Sequence, residues 1–214
     1  MTTLALEFSS DRRGVAVVRD QSVLSEVIHR GTRETPIFGL IERALGEARM
    51  APDAIERIAV GLGPGSNTGV RLALSVAQGW QLGSEVDIVG VVSLESLAVM
   101  SAPLGTVTLA VDSQRNEWAV AEAAGGKLTG SIRLVGVELL RSWISSGQQV
   151  AGPDVVSALG GGVEIHPSAA VLGRWAMEAV PVPAEQLTPV YLREASFVKA
   201  PPGRDLAGLP SLNH

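Results

Sequence analysis

Glu7 and Asp112 are the residues from which chemistry in this chain would start. Each stands at the end of an apolar, strand-like run, Thr3 to Phe8 and Thr106 to Val111. If these runs are matching first strands of two lobes, the carboxylates face each other across the cleft between them. Two hard oxygen donors so placed suit a hydrated Mg²⁺ that holds a nucleotide phosphate. As strand-end residues they are equally ordinary turn formers. A second candidate is the loop Gly63-Pro64-Gly65-Ser66-Asn67-Thr68-Gly69, which joins an apolar strand to a helix. Its glycines allow a sharp turn and a close backbone approach. Ser66 or Thr68 can cap the helix, whose N-terminal N–H groups and partial positive charge can take an anion. A tight strand-to-helix turn that binds nothing explains the same residues. The loop lacks the Gly-Lys-Ser/Thr ending of a Walker A sequence, and its glycines do not fit G-x-G-x-x-G. Glu7, Ser9, Gly63, Gly65, Ser66, Thr68 and Asp112 are thus the nucleotide or anion candidates.

Other chemistry has little to work with. The chain has no cysteine, which removes disulfides, thiolate metal sites and a cysteine nucleophile. Its histidines, His29, His166 and His214, are not paired at helical spacing, and H-E-x-x-H is absent. His29 reads as a strand residue and His166, before a proline, as a turn residue. There is no G-x-S-x-G elbow.

The elements that must position these groups follow from hydrophobic spacing. Strands are expected at Thr3 to Phe8, Val15 to Arg19 and Val23 to Arg30, then a helix from Pro36 to Arg49 with Ile37, Ile41 and Leu45 in phase. A buried strand at Ile58 to Leu62, the glycine loop and a helix at Val70 to Leu82, stopped by Gly83, come next. A strand at Ile88 to Val92 and a helix capped by Ser93 complete the first half. After Ser101 to Gly105, strands at Thr106 to Val111, Trp118 to Ala123 and Leu128 to Val135 begin the order again. A helix at Val137 to Ser145 and a strand near Val150 follow. Gly160 to Gly162 reads as a hinge or turn, Pro167 to Met177 as a helix, and Pro201 to His214 as coil. The order is that of two actin-like α/β lobes, residues 1–101 with the interface helices and residues 102–214 with the tail.

Composition agrees with a folded, turn-rich chain: 214 residues, 46% hydrophobic, 18% charged, with 24 glycines and 12 prolines. A net charge of −5 leaves no general basic face for nucleic acid, so any RNA is expected on a partner. No signal peptide and no apolar run of about 18 residues is visible, which fits a cytoplasmic protein. The helix at Val70 to Leu82 is apolar around most of its circumference, so two sides need cover. One faces its own sheet. The other meets either a partner or more of the same chain, and Ala73, Ala77 and the neighbouring glycines permit close helix approach. Ile37, Ile41, Leu45, Val70, Ala73, Leu74, Ala77 and Trp80 are the interface candidates.

GPGSNTGVR at Gly63 to Arg71 resembles a family, TsaB (YeaZ). The similarity continues through Leu72 to Gly79 and Gly90 to Ala98. It includes LALEFSS near the start, Asp112 to Glu117, and PVYLRE at Pro189 to Glu194. The resemblance implies an actin-like ATPase (ASKHA, ribonuclease H-like) fold. It implies a non-catalytic subunit beside TsaD, which transfers threonylcarbamoyl to the adenosine next to the anticodon, and TsaE, an ATPase. The complex would use ATP or ADP and Mg²⁺; this chain alone would need none. Pairing with TsaD, or with a second copy, would use the helices at Pro36 to Arg49 and Thr68 to Gly83. TsaD carries an H-x-x-x-H pair that this chain lacks. Glu7 stands where the family usually has Asp, Asn67 where Phe is common, and Arg33-Glu34 where His-Ser-Glu is frequent. Two other readings compete: a glycoprotease-type metallopeptidase and a stand-alone actin-like kinase.

Overall fold

The computed structural model describes residues 1–31 and 35–192. Arg33-Glu34, the Arg193-Glu194 end of the PVYLRE segment, and the Pro201 to His214 tail lie outside the described residues.

Two sheets share one strand order. In the first, β1 (Thr2–Glu7), β2 (Arg12–Arg19) and β3 (Ser22–Arg30) form an antiparallel meander, and β4 (Arg57–Gly61) and β5 (Asp87–Val91) run parallel to β1. The order is β3-β2-β1-β4-β5. In the second, β6 (Val107–Asp112) pairs antiparallel with β7 (Glu117–Ala124), and β10 (Val150–Gly152) and β11 (Val163–Glu164) extend it in parallel. The single strand expected at Leu128 to Val135 is two short ones, β8 (Lys127–Leu128) and β9 (Arg133–Gly136), both on β7. Polar residues and Gly130 between them interrupt the ladder. The second sheet thus repeats the first with β8 and β9 in the place of β3. This is the two-lobed actin-like α/β architecture.

Alternation in the first sheet sorts side chains by size. Leu4, Leu6, Val15, Val17, Ile58 and Val60 face α1 (Ile37–Ala48) and α2 (Asn67–Gly83). Ile37, Ile41, Leu45, Val70, Ala73, Leu74 and Ala77 complete that core. These seven interface candidates are therefore the chain's own core, because theirs is the side of α1 and α2 that meets the sheet. Trp80 alone of the set is half-buried.

The other face of that sheet carries Ala5, Ala16, Val18 and Ala59 and meets α6 (Ala169–Trp175). Conversely, α3 (Ser93–Met100) sends Leu94, Leu97 and Ala98 onto Leu109, Val111 and Ala121 of the second sheet. A division at residue 101 separates the sheets but not the packing, since each half lends a helix to the other. Ser96 and Ser168 bond where α3 and α6 meet: Ser168 N donates to Ser96 Oγ at 2.9 Å, and Ser96 Oγ to Ser168 O at 3.0 Å. Ser168 caps α6, accepting from Val171 N. The outer face of the second sheet is covered by α4 (Val137–Ser145) and by α5 (Val155–Leu159). Helix α5 and strand β11 are too short for periodicity to reveal.

Candidate functional site

The glycine loop is tied to the turn after β1. Ser66 N donates to Ser9 O at 2.7 Å. Gly65, at φ 141°, packs against that same carbonyl so closely that a Cβ would collide with it. Ser66 is the N-cap of α2, accepting from Gly69 N at 3.3 Å; Thr68 is exposed within the first turn. Arg13, fully buried, reaches under this helix end from β2. Its Nη1 donates to Phe8 O and its Nη2 to Ser66 Oγ at 3.2 Å. Gly69 has no side chain where the guanidinium lies. The loop's polar groups are thus largely bonded within the chain.

Glu7 does not face the cleft. Its carboxylate is fully buried against Gly61, where any Cβ would clash with it. Oε1 accepts from Ser9 N at 2.9 Å and from Ser93 Oγ at 3.2 Å; Oε2 has no hydrogen-bond partner. Burial pushes its pKa above the ordinary carboxylate range, opposed by the Ser9 and Ser93 bonds and by Arg13. Ser93, expected as a helix cap, lies inside α3, whose cap position is Val92. Its hydroxyl serves Glu7 and accepts from Gly63 N at 3.1 Å, while Ser93 N donates to Gly63 O. Glu7, Ser93 and the loop are one buried network rather than half of a metal site.

Asp112 does reach the cleft, exposed, with Oδ1 accepting from Gln114 N at 2.7 Å. The groove between the lobes is lined by Ser9, Ser10, Asp11, Gly65 and Ser66 on one side, and by Val111, Asp112, Gln114, Pro153 and Asp154 on the other. Of the seven candidates it brings together Ser9, Gly65, Ser66 and Asp112. Two acids were not anticipated, Asp11 and Asp154. Each lies in the turn after a strand, beyond the strand-end position that singles out Asp112. Asp154 is held above its ordinary pKa by burial and then by Asp11, against His166. No lysine or arginine lines the groove, and no group of three metal-capable residues occurs among the described residues. With Glu7 sealed away, these residues do not fit a Mg²⁺–nucleotide by themselves.

A different surface lies outside α1 and α2. Gly39 and Gly46 on α1, and Gly79 and Gly83 on α2, are exposed, and no described residue lies within 4 Å of where their Cβ atoms would stand. Phe38 is 69% and Leu82 92% exposed on the same helices. Half-buried Trp80 lines a shallow groove there with Ile55, Gly79, Gly83 and Val86, rimmed by Asp53 and Glu85.

Residues 29–138, just over half of the chain, match the family model described as TsaD, tRNA N6-adenosine threonylcarbamoyltransferase. The chain is 31% identical over 123 residues to the tRNA threonylcarbamoyladenosine biosynthesis protein TsaB of Bacillus subtilis (strain 168), covering 55% of this chain and 52% of that protein. It is 29% identical over 122 residues to the TsaB of Haemophilus influenzae, covering 55% of this chain and 51% of that protein. The chain thus spans about half the length of the curated relatives it matches. Among solved structures it resembles YeaZ from Pseudomonas aeruginosa, at TM-score 0.70 and 26% identity, over 89% of this chain and 99% of that one.

Proposed function

Because this chain belongs to the TsaB (YeaZ) family, we propose that it is a non-catalytic scaffold subunit in making N6-threonylcarbamoyladenosine in tRNA. In this reading it works beside a TsaD-type transferase and a TsaE-type ATPase, and meets tRNA only through that complex. One observation carries the reading: Gly39 and Gly46 inside α1 and Gly79 inside α2 have no described residue against them. A glycine inside a helix costs about 1 kcal/mol relative to alanine. Among the described residues no contact offsets that cost. A helix of a partner approaching closely would, since side-chain size at the contact sets the interaxial distance. Exposed Phe38 and Leu82 add apolar surface to the same pair of helices. The docking residues of this proposal are therefore the outward ones, not the buried stripe. A second copy of the chain would use the same face.

A stand-alone kinase would need a carboxylate at the end of β1 turned into the cleft, and Glu7 is turned away from it. The buried Glu7–Ser93 network instead serves to hold the loop that starts α2, and so to set the docking helix.

Size-exclusion chromatography with light scattering tests the proposal, on the chain alone and mixed with its TsaD. The unaltered chain is expected to co-elute with TsaD. Gly79→Arg is expected to keep its circular dichroism and to melt no lower than the unaltered chain, because the added side chain enters open space and relieves the helical glycine penalty, but to lose the complex. Co-elution of Gly79→Arg at undiminished affinity would remove this face from the proposal. Failure of the unaltered, folded chain to pair would remove the scaffold role itself.

A further inference from the structure

The chain passes from the second sheet to the first between β11 and α6. His166 stands in that crossing and is only 7% exposed. Its Nε2 is 3.3 Å from Oε1 of Glu164, on β11, and its Nδ1 is 3.6 Å from Oδ1 of Asp11, in the turn joining β1 to β2. Nδ1 and the facing Asp11 oxygen are both buried, and neither has a hydrogen-bond partner. A neutral imidazole has one N–H and one lone pair. It can donate to one of these carboxylates, and then turns its lone pair on the other. An imidazolium donates to both. We propose that His166 is a proton-operated clasp between the lobes, tying Asp11 to Glu164 when the ring is charged and releasing the Asp11 side when it is neutral.

Other charged groups surround the ring. Asp154, at the start of α5, interacts with Asp11, Glu164 and His166, and with Asp112 further along the groove. Glu26 on β3 and Arg12 on β2 line the recess beside the ring. Glu26 is already engaged, accepting from Ser168 Oγ and Ala170 N. Arg13 faces Asp11 but commits its Nη groups to Phe8 O and Ser66 Oγ. Two carboxylates lie in line with the ring nitrogens and a third is nearby, and charge-assisted hydrogen bonds are about twice as strong as neutral ones. Because the clasp forms with a proton bound, its contribution is present on the acid side of the histidine range and is lost as pH rises. It does not depend on the scaffold reading, since the groups involved lie away from α1 and α2.

Thermal unfolding of the full chain, H166Q, D11N and the double variant, at fixed salt from about pH 5 to 8, tests it. The unaltered protein's advantage over H166Q should shrink by about 2–4 °C across that range. The coupling between positions 11 and 166 should vanish at the upper end. A pH-independent advantage, or a D11N response equal to that of the unaltered protein, would overturn the clasp. Nitrogen-15 spectra of the ring read its charge directly and need no variant to fold. Two ring N–H groups at the acid end are expected, and a neutral ring throughout would overturn the proposal.

Discussion

The two faces of the first sheet use glycine in opposite ways. On the α6 side the strands carry alanines and the helix comes close. A Cβ on Gly173 would stand 2.7 Å from Val18 Cγ2 and 3.3 Å from Ala5 Cβ, and one on Gly14 3.1 Å from Ala169 Cβ. On the other side Leu4, Leu6, Ile58 and Val60 hold α1 and α2 off by the length of large side chains. The exposed glycines there have no described residue against them. Crowded glycines are explained by the fold. Open ones are not, and it is on this difference that the proposal of a docking surface outside α1 and α2 rests.

The sharpest way to break the comparison is to exchange its inner and outer sides. Leu74 is buried in the core under α2. Leu74→Asp removes a buried leucine, worth roughly 2–5 kcal/mol, and adds an unpaired buried carboxylate. Against a total stability of about 5–15 kcal/mol, no cooperative urea transition is expected. A variant that unfolds like the unaltered protein but no longer pairs would show that this stripe faces outward after all.

Gly173→Val comes next. The added side chain meets β-branched and backbone-near atoms that cannot swing aside, so overpacking by about 1–3 kcal/mol is expected, read as a lower urea midpoint. No loss would mean that α6 can stand off the sheet, and the contrast between the faces would weaken.

The sequence carries one half of this contrast and hides the other. Periodicity locates α1, α2 and every strand of the first sheet to within a few residues, because burial on one side imprints a period. It does not say which side a stripe faces when a helix is apolar nearly all round, and Val70, Ala73, Leu74 and Ala77 were placed on the partner side for that reason. Nor does it show that α3 and α6 exchange lobes, since any apolar helix pattern fits either sheet. The candidate site was half legible. Asp112 and the loop stood out by position, whereas the inward turn of Glu7 depends on Gly61 and Ser93, which are distant in sequence. His166 looked like a turn residue because its carboxylate partners come from two different sheets.

Glu7→Gln tests whether the crowded side extends to the end of β1. Burial raises the Glu7 pKa, so the folded protein prefers the protonated group. Its favourable contribution is complete below the unfolded value near 4.5 and is lost as pH rises through the higher folded value. Glutamine keeps the acceptor for Ser9 and Ser93 without the proton. Relative to the unaltered protein, Glu7→Gln should therefore gain stability from the acid side toward neutrality, in denaturation curves taken at successive pH values. A difference that does not change with pH would mean that the carboxylate reaches water.

The smallest effect is the most discriminating, because its sign differs between the two faces. Gly79→Ala adds one methyl group where nothing lies within 4 Å. In the isolated chain it removes only the glycine penalty, so a gain of about 0.8–1 kcal/mol is expected, visible as a higher urea midpoint at unchanged slope. The same methyl group at a close helix–helix contact would hold the partner away and weaken pairing. A chain that becomes more stable alone yet binds TsaD less tightly would show that the fold left Gly79 open for something outside it. Greater stability with unchanged binding would make it a surface glycine of no consequence, and the docking face would have to be sought nearer Phe38.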